Sequence, residues 1–280
     1  MMTNARWPNA KWSDYSVFNG SLWSKLDRKS KKGHMINKGS SLAQANVNMT
    51  GAVAILNIGS FNTYVAKVQN HQAGQNWFNY NDTFGPYPFK PTISKYFIED
   101  KLELLDQPEE WFYDRKTKML YVWMPKGDSP RRHRLQGKVQ TYAMNITNTH
   151  HLVIKNLDFF ATAISATSSK HEYIDHIRFD SLVFNYPTYS KRMLGDISLM
   201  KRMKVLGRHK SNDGNFVFFN NTFYGSDGTT MDVNGFNVTY ENNLFEYNDW
   251  TGANMIYKTG GDGPIDTSSR NELYLRNTMR

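Results

Sequence analysis

The sequence contains no cysteine and no long hydrophobic run. With no cysteine among 280 residues, it has no disulfide framework, thiol nucleophile or thiolate metal site. No apolar stretch approaches the roughly 18 residues that a membrane-spanning helix needs, and the opening MMTNARWPNAKW lacks the hydrophobic segment of a signal peptide. No phosphate loop, nucleic-acid-binding module or transition-metal cluster is recognisable. We therefore expect no nucleic-acid partner and no membrane span.

Aromatic and basic residues are plentiful. The chain has 17 Phe, 16 Tyr and 7 Trp, a composition that favours strands. Its 34 Lys and Arg exceed 25 Asp and Glu, which gives a formal charge of +9. Such an excess indicates an acidic partner, for example an anionic polysaccharide, or serves only to keep the chain in solution. The composition leaves both interpretations open.

Two similar segments in the second half of the chain predict a repetitive fold. FFNNTF at 218–223 and YENNLF at 240–245 lie 22 residues apart. A period near 22 with short β-rich units is typical of a solenoid, in which each repeat stacks on the next. Asn220 and Asn242 then occupy matching corners, and we expect them to form a ladder. Phenylalanine recurs at equivalent places, namely Phe159, Phe184, Phe223 and Phe245.

The first 137 residues predict a β-rich region that contains an aromatic hairpin. Ala52–Ile58 has the composition of a buried strand, and Thr63–Val68 alternates as a half-buried strand does. Glu110–Tyr113 and Met119–Trp123 flank a short polar turn, which predicts a hairpin.

From residue 138 to residue 280 the chain predicts stacked coils with two inserted loops. The gaps between the recurring phenylalanines are unequal, which indicates loops of variable length between otherwise similar coils. We place the main insertion at Pro187–Asp213 and a second one at Gly260–Arg270.

Three segments point to one family. They are ARWPN at 5–9, the pair EWFYD at 110–114 and LYVW at 120–123, and IKNLDF at 154–159. They resemble segments of the right-handed parallel β-helix superfamily of carbohydrate-active proteins, the pectin-lyase-like fold. The resemblance implies an all-β chain, with a right-handed parallel β-helix solenoid after a β-rich N-terminal region, truncated at both ends. It also implies a monomeric extracellular or cell-surface protein whose partner is a polysaccharide.

The resemblance implies cleavage of glycosidic linkages, by a glycoside hydrolase or a polysaccharide lyase. A non-catalytic protein that binds glycans or mediates adhesion is the alternative, as is an inactive fragment. No catalytic motif of a named family matches this chain, so no residue role is carried over from the family.

The 22-residue register selects the first candidate site residues. Asp232 and Asn254 fall on equivalent positions, between residues that point inward, so we expect them to be outward neighbours on one sheet. A carboxylate beside an amide suits sugar binding, calcium ligation or acid–base work; an ordinary surface aspartate is the alternative. Asp249 and Trp250 suit sugar recognition, and Asp232 with Asp249 is a candidate glycosidase pair.

The main predicted insertion is strongly basic. Arg192 and Arg208 are candidate contacts for an anionic chain, and His209 and Lys210 are candidate proton acceptors for a lyase reaction. A solvated loop is the alternative. Calcium is the one cofactor that this set of candidates allows.

Overall fold

The computed structural model describes residues 2–10, 22–58, 62–81, 89–190, 201–209, 212–248, 265–267 and 269–280. The chain divides into two compact units, one ending at Gln136 and one beginning at Gly137. Within these residues the α-helical content is a single four-residue helix, α1 (Ser41–Gln44), so the all-β prediction is confirmed. No helix in the described ranges is long and apolar enough to cross a membrane.

The first unit contains ten strands in a seven-stranded and a three-stranded sheet. The larger sheet has the order β2-β8-β5-β6-β7-β4, with β3 also on β8, and the smaller has the order β1-β9-β10. The strands are β1 (Thr3–Asn4), β2 (Arg6–Trp7), β3 (Ser24–Lys25), β4 (His34–Ile36), β5 (Val53–Ile58), β6 (Asn62–Asn70), β7 (Trp77–Tyr80), β8 (Lys95–Glu99), β9 (Glu110–Asp114) and β10 (Met119–Val122).

Both strand predictions for this unit are confirmed. All six residues of β5 are buried, as its apolar run implies, and β9 pairs antiparallel with β10 as the predicted aromatic hairpin. Short 3₁₀ turns follow β8 at Leu102–Leu104 and follow β10 at Pro125–Gly127 and Pro130–Arg132.

Arg6 of the ARWPN segment is fully buried. Its guanidinium donates to the carbonyl oxygens of Leu22, at 2.6 Å, and Pro8, at 2.9 Å. The guanidinium also lies 3.8 Å above the centre of the Phe97 ring. Hydrogen bonds and the aromatic face together offset the cost of taking this charge out of water.

The second unit consists of three parallel sheets of five strands each. Three consecutive strands supply one strand to each sheet, so the sheets have the orders β11-β14-β17-β20-β23, β12-β15-β18-β21-β24 and β13-β16-β19-β22-β25. We call these the first, second and third sheets. The strands are β11 (Tyr142–Thr147), β12 (His150–Lys155), β13 (Asp158–Phe160), β14 (Ala163–Thr167), β15 (Asp175–Asp180), β16 (Val183–Asn185), β17 (Met203–Leu206), β18 (Gly214–Phe219), β19 (Thr222–Tyr224), β20 (Met231–Asn234), β21 (Phe236–Glu241), β22 (Leu244–Glu246), β23 (Ile265–Thr267), β24 (Arg270–Leu275) and β25 (Thr278–Met279).

Stacked aromatic rings fill much of the core of this unit. Parallel strands lie about 4.8 Å apart, so equivalent side chains on successive strands meet face to face. The four predicted equivalent phenylalanines are direct register partners. Their ring centres are 4.7, 4.9 and 4.9 Å apart, with nearly parallel planes. The prediction of a shared phenylalanine position is therefore confirmed.

The asparagine ladder is also confirmed. Asn220 and Asn242 have φ angles of 56° and 55°, the left-handed conformation that asparagine tolerates. The Asn242 amide donates to the Asn220 side-chain oxygen at 3.0 Å. A second ladder, which the sequence did not reveal as such, lies one residue further along and is largely buried. It consists of Asn221, Asn243 and Asn277.

The predicted insertions are wrong as drawn, because each contains a strand of the first sheet. β17 lies inside Pro187–Asp213 and β23 inside Gly260–Arg270. Basic residues surround β17 and conceal its short apolar alternation, in which Met203 and Val205 are fully buried.

The predicted pairing of Asp232 with Asn254 is wrong as well. The sheet neighbours of Asp232 are Lys204 on β17 and Asp266 on β23. Asn221 and Asn243 are 22 residues apart, whereas Asn243 and Asn277 are 34 apart. Because this connection is longer than 22 residues, the residue next to Asp232 on the following strand is Asp266. Asn254 lies outside the described residues.

Candidate functional site

A polar row crosses the outer face of the first sheet. Met231 and Val233 are fully buried, so Asp232 between them points outward, as the alternation of a strand requires. Its row runs along the stack of strands, because register partners on neighbouring strands share a face. From β11 to β23 the row is Asn145, Ser165, Lys204, Asp232 and Asp266.

Asp232 faces a cation across this surface. The Arg202 Nη2 atom lies 3.8 Å from the Asp232 Oδ2 atom, and the side chains are 18% and 29% exposed. This separation is too long for a short charge-assisted hydrogen bond. No residue in the described ranges donates a hydrogen bond to the Asp232 carboxylate, which is partly exposed.

The Tyr142 hydroxyl lies close enough to Asp232 and Arg202 for both charges to affect its pKa. Tyr142 begins β11, beside Ala163 of β14, and its ring packs against the hydrophobic core of this unit. The Tyr142 hydroxyl is buried and has no hydrogen-bond partner among the residues described. Burial raises the pKa of Tyr142, the Asp232 charge raises it further, and the Arg202 charge opposes both. Phenol, carboxylate and guanidinium therefore form one electrostatic group.

Two aspartates occupy neighbouring positions of the polar row. Asp232 and Asp266 are direct register partners in a parallel pair, and such strands lie about 4.8 Å apart. Two aspartates at neighbouring register positions are a candidate carboxyl pair for cleavage of a glycosidic bond. Sequence reasoning missed Asp266 because its distance along the chain from Asp232 does not follow the 22-residue period.

An aromatic row follows the corner that leads from the third sheet to the first. The ring centres of successive residues are 5.9, 5.6 and 5.6 Å apart, all edge to face. The two end members are the most open, with Phe160 46% and Tyr247 60% exposed. Exposed aromatic rings suit the C–H faces of sugars. We call this the corner aromatic row: Phe160, Tyr186, Tyr224 and Tyr247.

A sequence signal for the corner aromatic row exists. Each member comes one or two residues after a phenylalanine of the stacked core ladder. The outward direction of those rings depends on the corner backbone, since Tyr186 and Tyr247 adopt φ angles of 57° and 50°. Periodicity alone does not show that direction.

His209 and Arg208 lie beyond the end of β17, in a hydrogen-bonded corner. The His209 main-chain N–H donates to the buried carboxylate of Asp213, and His209 Nε2 lies 3.0 Å from the Ser169 carbonyl oxygen. A carbonyl only accepts, so Nε2 carries the proton and does not serve as a base. The Arg208 main-chain N–H donates to Ser168 Oγ at 2.7 Å, and its side chain is exposed.

The structure does not join these residues to Asp232. No hydrogen bond or ion pair in the described part of the chain connects Asp232 with Arg208 or His209. The remaining predicted site residues, Asp249, Lys210, Trp250, Asn254 and Arg192, lie outside the described residues. Their roles stay predictions.

No group of three or more His, Asp or Glu side chains is placed to hold a metal ion within the described ranges. Calcium stays a prediction from the sequence.

Comparison with known proteins adds one distant likeness. No family model matches the chain, and no curated protein matches its sequence. A solved structure described as a glycoside hydrolase is similar over 99% of this chain and 75% of that chain, with a TM-score of 0.39 and 8% identity. A likeness at this level carries no argument about fold or function. The functional case therefore rests on the residues of the outer face.

Proposed function

We propose that the second unit is a right-handed parallel β-helix and that the outer face of its first sheet cleaves a polysaccharide by hydrolysis. Pairing of every strand with the third strand along the chain, in three sheets at once, supports the first part. Stacked phenylalanines and asparagine ladders support it further, because they require equivalent positions in successive repeats.

The observation that carries the proposed reaction is the pair of aspartates at neighbouring register positions. A retaining glycosidase uses two carboxyl groups about 5 Å apart. One protonates the glycosidic oxygen as its bond to the anomeric carbon breaks, and the other forms a glycosyl–enzyme ester that water then hydrolyses. Because the nucleophile must be ionised, we assign that role to Asp232, which faces the Arg202 guanidinium, and the acid role to Asp266.

The surroundings favour an acidic polysaccharide. Arg202 and Lys204 flank Asp232, and cations beside the cleavage point attract and orient a uronate carboxylate. The corner aromatic row offers ring surfaces to neighbouring sugars. A long chain bound here contacts both the polar row and the aromatic rings.

The cations Arg202 and Lys204 favour β-elimination as the second candidate reaction. In that reaction a base removes the proton next to the uronate carboxylate, the bond from C4 to the glycosidic oxygen breaks, and a carbon–carbon double bond forms. Lys204 is the candidate base, Arg202 neutralises the uronate charge, and the proton that Lys204 removes passes to the departing oxygen. Glycan binding without cleavage is the non-catalytic alternative.

Polysaccharide digestion tests both reactions. The protein is incubated with polygalacturonate, alginate, xylan and a β-glucan, and new reducing ends and unsaturated products are measured separately. Hydrolysis gives reducing ends alone, whereas unsaturated products overturn hydrolysis in favour of β-elimination. Binding with neither product overturns cleavage and favours the non-catalytic alternative.

Two variants test the aspartate pair. Asp232→Asn and Asp266→Asn should each lower kcat by about 10²- to 10⁴-fold. Asp180→Asn is the matched control, since Asp180 is a partly exposed aspartate of the second sheet and should leave kcat unchanged. Full activity in both Asp232→Asn and Asp266→Asn would remove the pair from the reaction.

A further inference from the structure

The first unit contains an open cleft of about 630 Å³. The cleft is wide and open to solvent, so a ligand bound there stays partly exposed. Its lining combines aromatic rings, ammonium groups and hydroxyls, and no carboxylate lies among the described lining residues. The residues that matter for recognition are Trp7, Trp23, Ser24, Lys25, Lys38 and Ser41.

Hydrogen bonds hold the walls of the cleft. The Lys38 main-chain N–H donates to the Lys25 carbonyl oxygen at 2.8 Å, which ties the two lysine segments together. The Asn37 side-chain amide donates to Ser41 Oγ at 3.1 Å. The Asn76 amide donates to the Asn37 carbonyl at 2.9 Å. The cleft is therefore built before any ligand arrives, which lowers the entropy lost on binding.

Positive charge is concentrated at one wall. Lys25 on β3 is the direct cross-strand partner of Lys95 on β8, an arrangement of like charges that destabilises a sheet. Burial lowers the pKa of Lys95, and the nearby Lys25 charge lowers it further. Lys25 and Lys38 are exposed and form no ion pair with any residue that the structure describes. An anion bound here relieves this repulsion.

Two indole rings supply the apolar side of the cleft. Trp23 is 4% exposed and packs edge to face on Phe97, with ring centres 4.9 Å apart. Trp7 is half-buried, and its ring centre is 6.0 Å from that of Tyr96. Trp23 therefore forms a buried wall, and the half-buried Trp7 ring presents a rigid surface for the C–H face of a sugar. A sugar ring that bears a carboxylate satisfies the indole surface and the lysines together.

We propose that this cleft binds a uronate segment of a polysaccharide, independently of the reaction at the polar row of the second unit. The sugar ring packs against the Trp7 indole ring. Its carboxylate pairs with Lys25 and Lys38, and Ser24 and Ser41 line the same cleft beside its hydroxyls. The described lining residues include no carboxylate or histidine, and we assign the cleft a role in binding.

The test measures binding site by site in the full chain. The Asp232→Asn variant is mixed with a galacturonic acid trimer or with the methyl-esterified trimer, and hydrogen exchange is followed in peptides covering residues 22–25 and 37–41. The acidic trimer should slow exchange in both peptides, and its methyl ester should bind about tenfold more weakly. Equal binding of both trimers, or equal binding of inorganic phosphate, would overturn a uronate site.

Lysine variants complete the test. Lys25→Gln combined with Lys38→Gln should weaken the effect of the trimer on these peptides about tenfold or more. Lys29→Gln is the matched control, because Lys29 is an exposed lysine of the same segment outside the cleft lining. Unchanged protection in the double variant would overturn the proposal. Since no cleavage is measured, failure of the proposed reaction leaves this result unaffected.

Discussion

The two units of the chain bury most of their polar groups in different ways, and the buried Asp213 carboxylate is an exception in the second unit. The second unit repeats one neutral amide on successive strands, and Asn243 bonds to both Asn221 and Asn277. The first unit buries single ionisable groups, such as Arg6 and Glu110, which are both fully buried. In a stack of parallel strands, each side chain lies next to the side chain at the equivalent position of the neighbouring repeat. An amide suits this position because it both donates and accepts, whereas stacked copies of one charge repel.

Buried charges in the first unit need unlike partners instead. The Glu110 carboxylate accepts from the Asp106 main-chain N–H at 3.2 Å and from the Gln107 side chain at 3.2 Å. Asp100 pairs with Arg115 at 2.6 Å. These partners come from different elements and follow no repeat. The comparison predicts that damage to an amide ladder affects several strands, whereas damage to one charged group stays local and depends on pH.

The largest effect is expected from Asn243→Ala. The Asn243 oxygen accepts from the Asn221 main chain at 3.0 Å, and its amide donates to the Phe218 carbonyl at 2.9 Å and to Asn277 at 2.9 Å. Each buried group left without a partner costs about 1–3 kcal/mol. We therefore expect the free energy of unfolding to fall by about 4 kcal/mol, measured by urea denaturation.

The neighbouring ladder supplies the control for this variant. Asn242 is exposed on the outer ladder and has a φ of 55°, which glycine also adopts. Asn242→Gly should change the free energy of unfolding by less than about 1 kcal/mol. Equal losses in the two variants would remove the distinction between the buried and the exposed ladder.

An intermediate effect is expected from Phe184→Leu. Phe184 stacks on Phe159 and on Phe223, with ring centres 4.7 and 4.9 Å away. Each aromatic pair contributes about 0.5–1.5 kcal/mol beyond its buried area, so the loss should be about 2 kcal/mol. In the first unit, Phe78→Leu removes only tilted contacts with Tyr80 and Tyr96 and should cost less. The reverse order would show that ring stacking is not what stabilises the second unit.

The smallest effect is a dependence on pH that has opposite signs for two buried carboxyls of the first unit, Asp100 and Glu110, and for Asp175 of the second. Burial raises the pKa of Glu110 from 4.5 to about 7, against its hydrogen bonds, and raises that of Asp100 to about 6, against Arg115. In the second unit, burial raises the pKa of Asp175, but hydrogen bonds from Asn215 and His176 outweigh it and the pKa is lowered.

The signs follow from linkage between proton binding and folding. A raised carboxyl pKa contributes stability below the unfolded value, here about pH 4.5, that is lost as the pH rises towards 7. A lowered pKa contributes stability above about pH 3.8 that is lost in stronger acid. Solvent contact screens such charges, so we expect changes on the order of 1 kcal/mol.

Hydrogen exchange corrected for intrinsic rates, from pH 3 to pH 8, measures each unit separately. Peptides of the first unit should lose protection from pH 4.5 to pH 7, and Glu110→Gln should flatten that change. Peptides around Asp175 should lose protection only below about pH 4. A common pH profile for both units would contradict the comparison.

Individual residues show how far sequence reasoning reaches. The shared position of Phe159, Phe184, Phe223 and Phe245 was predictable, because inward side chains on stacked strands must resemble one another. The corner asparagines were predictable from the left-handed backbone that their positions require. β17 was not predicted. The outward-facing residues of a strand contact solvent and can be charged, so the basic residues in and around β17 gave this segment the composition of a loop.

The sequence by itself determined which residues of the second unit point inward and where its chain bends, because strand alternation and corner conformation are local properties. It also determined that Asp232 points outward. Only the tertiary structure decided that Asp232 lies between Lys204 and Asp266 in the sheet register and close to Arg202. It also decided that Lys25 pairs with Lys95 beside two indole rings. These neighbours depend on the register between strands. The connections between the strands differ in length, so the register cannot be predicted from a local sequence pattern.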